Sequence, residues 1–208
     1  RSDMTSRSAL PLALGLFALA GSPGCTSDST GPETRDPAAL SIVALAQNHP
    51  EYFNTEATVW AKRGTEIETI LYFKNGSGGR GEAYARLRMR PQSLKTFPDG
   101  HPFAEGDSVL ATIRIPDNTK AMVELLPSGL QFNPSQPAEL KLEYTQCEKD
   151  LNHDGVVNVA DTELQHGLAI WRQETLTSPF VKLGTVNSES ILELKADVLG
   201  FSRFAIAY

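Results

Sequence analysis

From residue 83 to residue 90 apolar and polar side chains alternate without a break. Ala83, Ala85, Leu87 and Met89 fall on one face, and Tyr84, Arg86, Arg88 and Arg90 on the other. Period two with one apolar face describes a strand that buries one side and wets the other, as antiparallel sheets do and helices cannot. The pattern recurs. Val109, Ala111, Ile113 and Ile115 alternate through 107–116, where Pro116 ends the run because proline cannot donate to a ladder. Leu140, Leu142 and Tyr144 do the same in 139–144. Further β-rich runs occupy 57–62, 66–73, 122–126, 168–173, 180–186, 191–197 and 204–208. Turn residues separate them: Arg63-Gly64-Thr65 joins the first two, and NGSGGRG (75–81) has the glycine content of a loop. No long amphipathic helix interrupts the series. About ten short strands at this spacing predict an all-β chain, an antiparallel β-sandwich over 55–208, which is long enough to bury one core.

The other end of the chain is different. Residues 9–20 (ALPLALGLFALA) are continuously apolar, with Arg7 before them and small residues after, up to Cys25. A bilayer span needs ~20 apolar residues, so this run fits the core of a secretory signal starting at Met4. The arrangement resembles a bacterial lipoprotein signal, in which a Cys after small residues is acylated and becomes the mature N-terminus; here Ser22-Pro23-Gly24 precede it. The resemblance implies a lipid anchor at Cys25 and a cell-envelope protein facing the periplasm or the exterior. Residues 26–39 (TSDSTGPETRDPAA) have nothing that packs, which suits a flexible tether. The expected division is therefore signal peptide 1–25, tether and linker 26–54, and sandwich domain 55–208. With Cys25 as anchor, Cys147 has no partner within the chain, and the fold must stand on its core alone.

One segment carries chemistry. Residues 150–161 read DLNHDGVVNVAD. Asp150, Asn152 and Asp154 alternate, so their side chains converge as the backbone curls. Gly155 permits the sharp turn, Val156 lends its carbonyl oxygen, Asn158 acts directly or through water, and Asp161 closes the ring. Calcium takes six to eight such hard oxygens. Val157 holds the place of the apolar anchor. The pattern resembles a dockerin repeat, an EF-hand-like calcium loop, because its last position is Asp. There is one repeat, a following helix of barely two turns (159–167), and no entering helix, since 143–149 reads as continued strand. The loop is thus expected to be structural, with calcium pinning an inter-strand insertion. Repulsion among Asp150, Asp154 and Asp161 is expected to loosen it without metal. Extracellular calcium modules bind with Kd of roughly 10⁻⁴–10⁻³ M. The competing reading is a metal-free Asx-rich turn held by its own backbone hydrogen bonds.

A second resemblance rests on AMVELLPSGLQFNPSQPAELKLEY (121–144) and the closing FSRFAIAY (201–208). Pro127, Gly129, Phe132, Pro134, Pro137 and Tyr144, followed by the Trp171 strand, are similar to the ZU-type domain, the β-sandwich module of ankyrins, netrin receptors and tight-junction scaffolds. In place of its Gly-rich opening the chain has RIPDNTKAM (114–122). That family implies binding or scaffolding without catalysis.

Other functions recede. A net charge of −6, with 19 basic against 25 acidic residues, argues against nucleic acid as partner. His49, His101, His153 and His166 are scattered without zinc spacing, and no nucleophile motif such as G-x-S-x-G occurs. Arg86, Arg88 and Arg90, with Arg80 nearby, read either as a patch for anionic glycan or lipid headgroups or as a solvated face that discourages edge pairing. Trp60, Trp171, Tyr72 and Phe73 lie in strands and are expected in the core. The expectation is a non-catalytic, calcium-binding envelope lipoprotein with an unidentified protein or glycan ligand. The alternatives are a carbohydrate or surface adhesion module using exposed aromatics on the sheet, and an unrecognised hydrolase.

Overall fold

The structure, a computed structural model, describes residues 31–208; the signal segment 1–25 with Cys25, and residues 26–30 of the tether, lie outside the described residues. In chain order the elements are β1 (Thr34–Arg35), β2 (Glu56–Lys62), β3 (Ile67–Lys74), β4 (Arg80–Met89), β5 (Leu94–Thr96), β6 (Ser108–Arg114) and β7 (Met122–Leu126). Then follow β8 (Gln131–Phe132), β9 (Ala138–Glu143), the helix α1 (Val159–His166), β10 (Ala169–Gln173), β11 (Phe180–Lys182), β12 (Thr185–Ser188), β13 (Glu193–Val198) and β14 (Arg203–Ala207).

They form an all-β, sandwich-like fold. A seven-stranded sheet has the order β1-β11-β10-β14-β7-β6-β2, a five-stranded sheet the order β12-β13-β9-β4-β3, and β5 pairs with β8 alone. All the pairings are antiparallel. The alternating residues read from the sequence supply the core. Leu71, Leu87, Met89, Leu140 and Leu142 from one sheet meet Ala111, Ile113, Val123, Leu125, Phe204 and Ile206 from the other.

Four local features depart from the sequence reading. Tyr84 is buried, not on the wet face. Leu71 pairs with Ala85 and Tyr72 with Ala83, so Tyr84 is an extra residue in a β-bulge, and the shift turns its ring inward. There its hydroxyl donates to the Met122 carbonyl (3.1 Å) and accepts from the Met122 N–H (2.8 Å). The run 180–186 divides at Leu183-Gly184 into β11 and β12, which belong to different sheets. Strand β9 stops at Glu143, and the next residues turn, with the Cys147 N–H donating to the Tyr144 carbonyl.

The fourth concerns residues 34–54, read as tether and linker. Val43 and Leu45 are buried in the main core, the Val43 N–H bonds the Ile206 carbonyl at 2.9 Å, and Tyr52 packs on Phe73 with centroids 4.9 Å apart. Leu40 and Ile42 cover part of the outer face of the seven-stranded sheet. With Met122, Ala169, Trp171, Phe180, Ala205 and Ala207 they make a second, smaller core. Trp171 lies beneath, its indole N–H donating to the Ala207 carbonyl at 3.2 Å and Arg35 and Lys182 over its ring. A sheet with an apolar outer half must be covered, and this segment covers it.

Candidate metal centre

Loop 150–161 joins β9 to β10 through α1. The helix begins where its sequence allows. Asn158 is the N-cap, its side-chain oxygen accepting from the Ala160 N–H (2.7 Å), and Asp161 completes a capping box by accepting from the Asn158 N–H (2.8 Å). Upstream, the Asp150 carboxylate accepts from the Asp154 and Gly155 N–H groups at 3.1 and 2.8 Å. Asn152 Oδ1 accepts from Asp154 N–H at 2.9 Å, and Asp154 Oδ1 from Val156 N–H at 2.9 Å. Each alternate side chain thus turns back onto the loop that carries it. Gly155 has φ 88 and His153 φ 56, both left-handed. The glycine was legible from its lack of a Cβ; the left-handed histidine was not.

Asp161 is the buried member. Besides capping the helix it accepts from the Leu151 and Asn152 N–H groups at 2.7 and 3.1 Å, closing the two ends of the loop on one carboxylate. These backbone donors, the Asn158 N–H foremost, hold its pKa below the ordinary aspartate value, against the opposing effect of burial. The loop's apolar anchor is Leu151, whose carbonyl accepts from the Tyr208 hydroxyl. Val157, expected in that role, is exposed, as are Val156 and Val159.

The donor set suits a hard cation. Asp150, Asn152, Asp154, the Val156 carbonyl, Asn158 and Asp161 offer oxygens only. A carboxylate has about four acceptor sites, so Asp161 keeps capacity beyond its three N–H bonds. The Asn158 side-chain N–H₂ donates to the Val156 carbonyl (2.9 Å) and Asp154 Oδ2 (3.3 Å), and Asn152 Nδ2 donates to the same Asp154 oxygen at 3.1 Å. Two amide groups therefore draw on the acceptors that a cation would use. Among the described residues no three carboxylate, imidazole or thiol groups converge as a ready-made ligand cluster. Beside the loop, residues 46–48 and 145–149 wall an open cleft of about 630 Å³ that Asp150, His153 and Val157 also line. His153 stands 3.9 Å from Glu148.

The other candidates separate cleanly. Arg86 pairs with Glu143 (3.1 Å), Arg88 with Glu66 (2.9 Å) and Arg90 with Glu139 (3.9 Å). The arginine stripe is therefore matched by carboxylates from β9 and the β2–β3 turn. Arg86 and Arg88 also lie on β4, which sits inside the sheet between β9 and β3, and Arg90 follows it, so the stripe guards no edge. Trp171 and Phe73 are buried as expected, whereas Trp60 is 64% exposed. It lies on the outer face of the edge strand β2, opposite exposed Leu110 of β6. Alternation alone could not say that this face of β2 turns outward. No helix among the described residues is long and apolar enough to cross a membrane. Comparison with protein-family models, with curated proteins and with solved structures finds no match.

Proposed function

We propose that this chain is a non-catalytic binding or structural module of a bacterial cell envelope, lipid-anchored at Cys25, in which calcium rigidifies the loop between β9 and β10. The observation that carries the reading is the course of residues 150–161: the side chains of Asp150, Asn152 and Asp154 all fold back into one turn, and Asp161 ties that turn to the first residues of α1. Calcium would be held by Asp150, Asn152, Asp154, the Val156 carbonyl and Asp161, with Asn158 direct or through water. Its charge would offset the three carboxylates that the loop carries. The ZU-type likeness of 121–144 and 201–208 agrees with a binding role, and the lipoprotein-like signal with an envelope location.

Thermal unfolding tests it, run with millimolar calcium and with chelator, for the wild type and Asp150→Ala. A ligand that binds only the folded state adds ~2.7 kcal/mol at 100 times its Kd. The wild type should melt several degrees higher with calcium, and Asp150→Ala should lose that gain. An unchanged wild-type Tm at 10 mM calcium would reduce the loop to a polar turn.

A further inference from the structure

The outer face of the seven-stranded sheet has two halves. Leu40 and Ile42 cover the β10–β14 half. The β2–β6–β7 half has no such cover among the described residues. It presents the pairs Trp60–Leu110, Thr58–Thr112 and Glu56–Arg114 from β2 and β6, and continues to Leu126 and Glu124 on β7 and Arg203 on β14. Trp60 and Leu110 are exposed, and Thr58 and Thr112 hydroxyls meet at 3.3 Å. The fold makes no use of Trp60: its strand neighbours on that face, Glu56, Thr58 and Lys62, are polar and exposed. An exposed indole beside an exposed leucine on a sheet face, bordered by polar side chains, offers a contact surface.

The same face ends in a built polar cleft of about 270 Å³, lined by Glu124, Ser128, Gln173, Glu174, Ser202 and Arg203. Gln173 and Ser202 are buried, and Glu124 receives Arg114 at 2.6 Å and Arg203 at 3.4 Å. The Arg203 Nε is buried with no partner. Strand spacing and rise put Trp60 and Glu124 roughly 16 Å apart, two strands across and four residues along. Ring face at one end, fixed donors and acceptors at the other, and a length between them describe an extended ligand with C–H faces and hydroxyl edges.

Charge narrows the class. Along this row Glu56 and Glu124 alternate with Arg114 and Arg203, and both arginines are already engaged by Glu124. No surplus cation remains in that row, and on the strand that carries Trp60 the one cation is Lys62, a single charge and too little for a polyanion. We propose that this face binds a neutral polysaccharide segment, with a sugar ring stacked on Trp60 and hydroxyls of the same chain bonded at the Glu124–Arg203 cleft. Trp60 and Glu124, the two contacts the proposal rests on, are remote in sequence from the calcium loop.

Affinity electrophoresis of the full chain in gels containing xylan, hydroxyethylcellulose, laminarin or dextran tests this, with alginate as the anionic control. At least one neutral polysaccharide should retard the protein. Trp60→Ala should abolish retardation, Trp60→Phe should retain part of it, and Glu124→Gln should weaken it several-fold. Trp60→Ala should leave Tm close to wild type because the ring is exposed, which separates lost binding from lost folding. Asp150→Ala should bind like the wild type, so failure of the calcium reading and failure of this one stay distinct. No retardation by any neutral polymer, retardation by alginate alone, or retardation indifferent to Trp60→Ala would each overturn the proposal. So would a concentration-dependent dimer in sedimentation that Trp60→Ala dissolves, which would assign the patch to self-association.

Discussion

Tyr84 shows how one inserted residue can join two sheets. Its ring stands edge-on to Phe73 and Tyr52, and its hydroxyl serves both backbone groups of Met122 across the sandwich. Phenylalanine would keep the ring and strand both partners. A buried group left without its hydrogen bond costs ~1–3 kcal/mol, so Tyr84→Phe should destabilise by about 2 kcal/mol, read as a lower urea midpoint at unchanged slope. Cys147 is the second residue with a measurable consequence. It is a buried free thiol, and burial, reinforced by Glu148, pushes its pKa up to about 12. The folded state therefore holds the proton that the unfolded chain releases. Its contribution is fully present below the ordinary thiol value and is lost as pH rises through the folded one. Stability should fall as pH climbs above 9, with a shallower slope for Cys147→Ala between pH 8 and 10. The peptide carrying Cys147 should resist iodoacetamide until denaturant is added.

The N-terminal segment makes the argument at the scale of an element. Leu40 covers Trp171 and Phe180, so Leu40→Ala should cost ~2–3 kcal/mol, the lower part of the range for a truncated core leucine, and should shift Trp171 emission to the red. Residues 40–54 were read as linker because a sequence pattern registers only a face that repeats within its own segment. The partner of Leu40 is an outer sheet face, visible only once the sheet exists. Strands β2, β3, β4, β6, β7, β9, β10, β13 and β14 were legible within one or two residues, except that β4 starts three residues earlier, because each is a continuous β-rich run bounded by turn residues. The short pair β5–β8, the two-residue β1 and the division between β11 and β12 were not, since such pieces are defined by a partner and carry no period of their own. In loop 150–161 the oxygen-bearing positions and Gly155 were legible as spacing. The clasp from Asp161 to Leu151 and Asn152 was not, because it joins residues nine and ten apart through backbone donors.

At the scale of the whole molecule, the two sheets present different outer faces. The five-stranded sheet carries cross-strand ion pairs such as Lys141–Glu193 and Arg86–Glu143. Those two are partly buried, but the Arg88–Glu66 pair is exposed at both ends, and exposed pairs contribute only ~0–1 kcal/mol, so Arg88→Ala should change Tm by no more than a degree or two at physiological salt. Their effect is to cancel the charge of that surface. The seven-stranded sheet instead divides its outer face between a covered apolar half and an open half with Trp60. Iodide quenching should reveal that asymmetry directly, with Trp60 accessible and Trp171 protected in the native chain.

Strand β14 occupies the middle of the seven-stranded sheet, between β10 and β7, and also receives the N-terminal Ile42 and Val43 at Ala207 and Ile206. The largest sheet is therefore closed by the last of the described strands, inserted between two that precede it in the chain. Until residue 207 is available, β7 and β10 have open ladders facing each other across a gap, and the early segment at 42–43 has nothing to dock on. Assembly is obliged to be late and concerted, with the first and last parts of the described chain arriving together. Topologies of such high contact order fold in milliseconds to seconds, and the nascent chain spends that interval with sheet edges open to any passing strand.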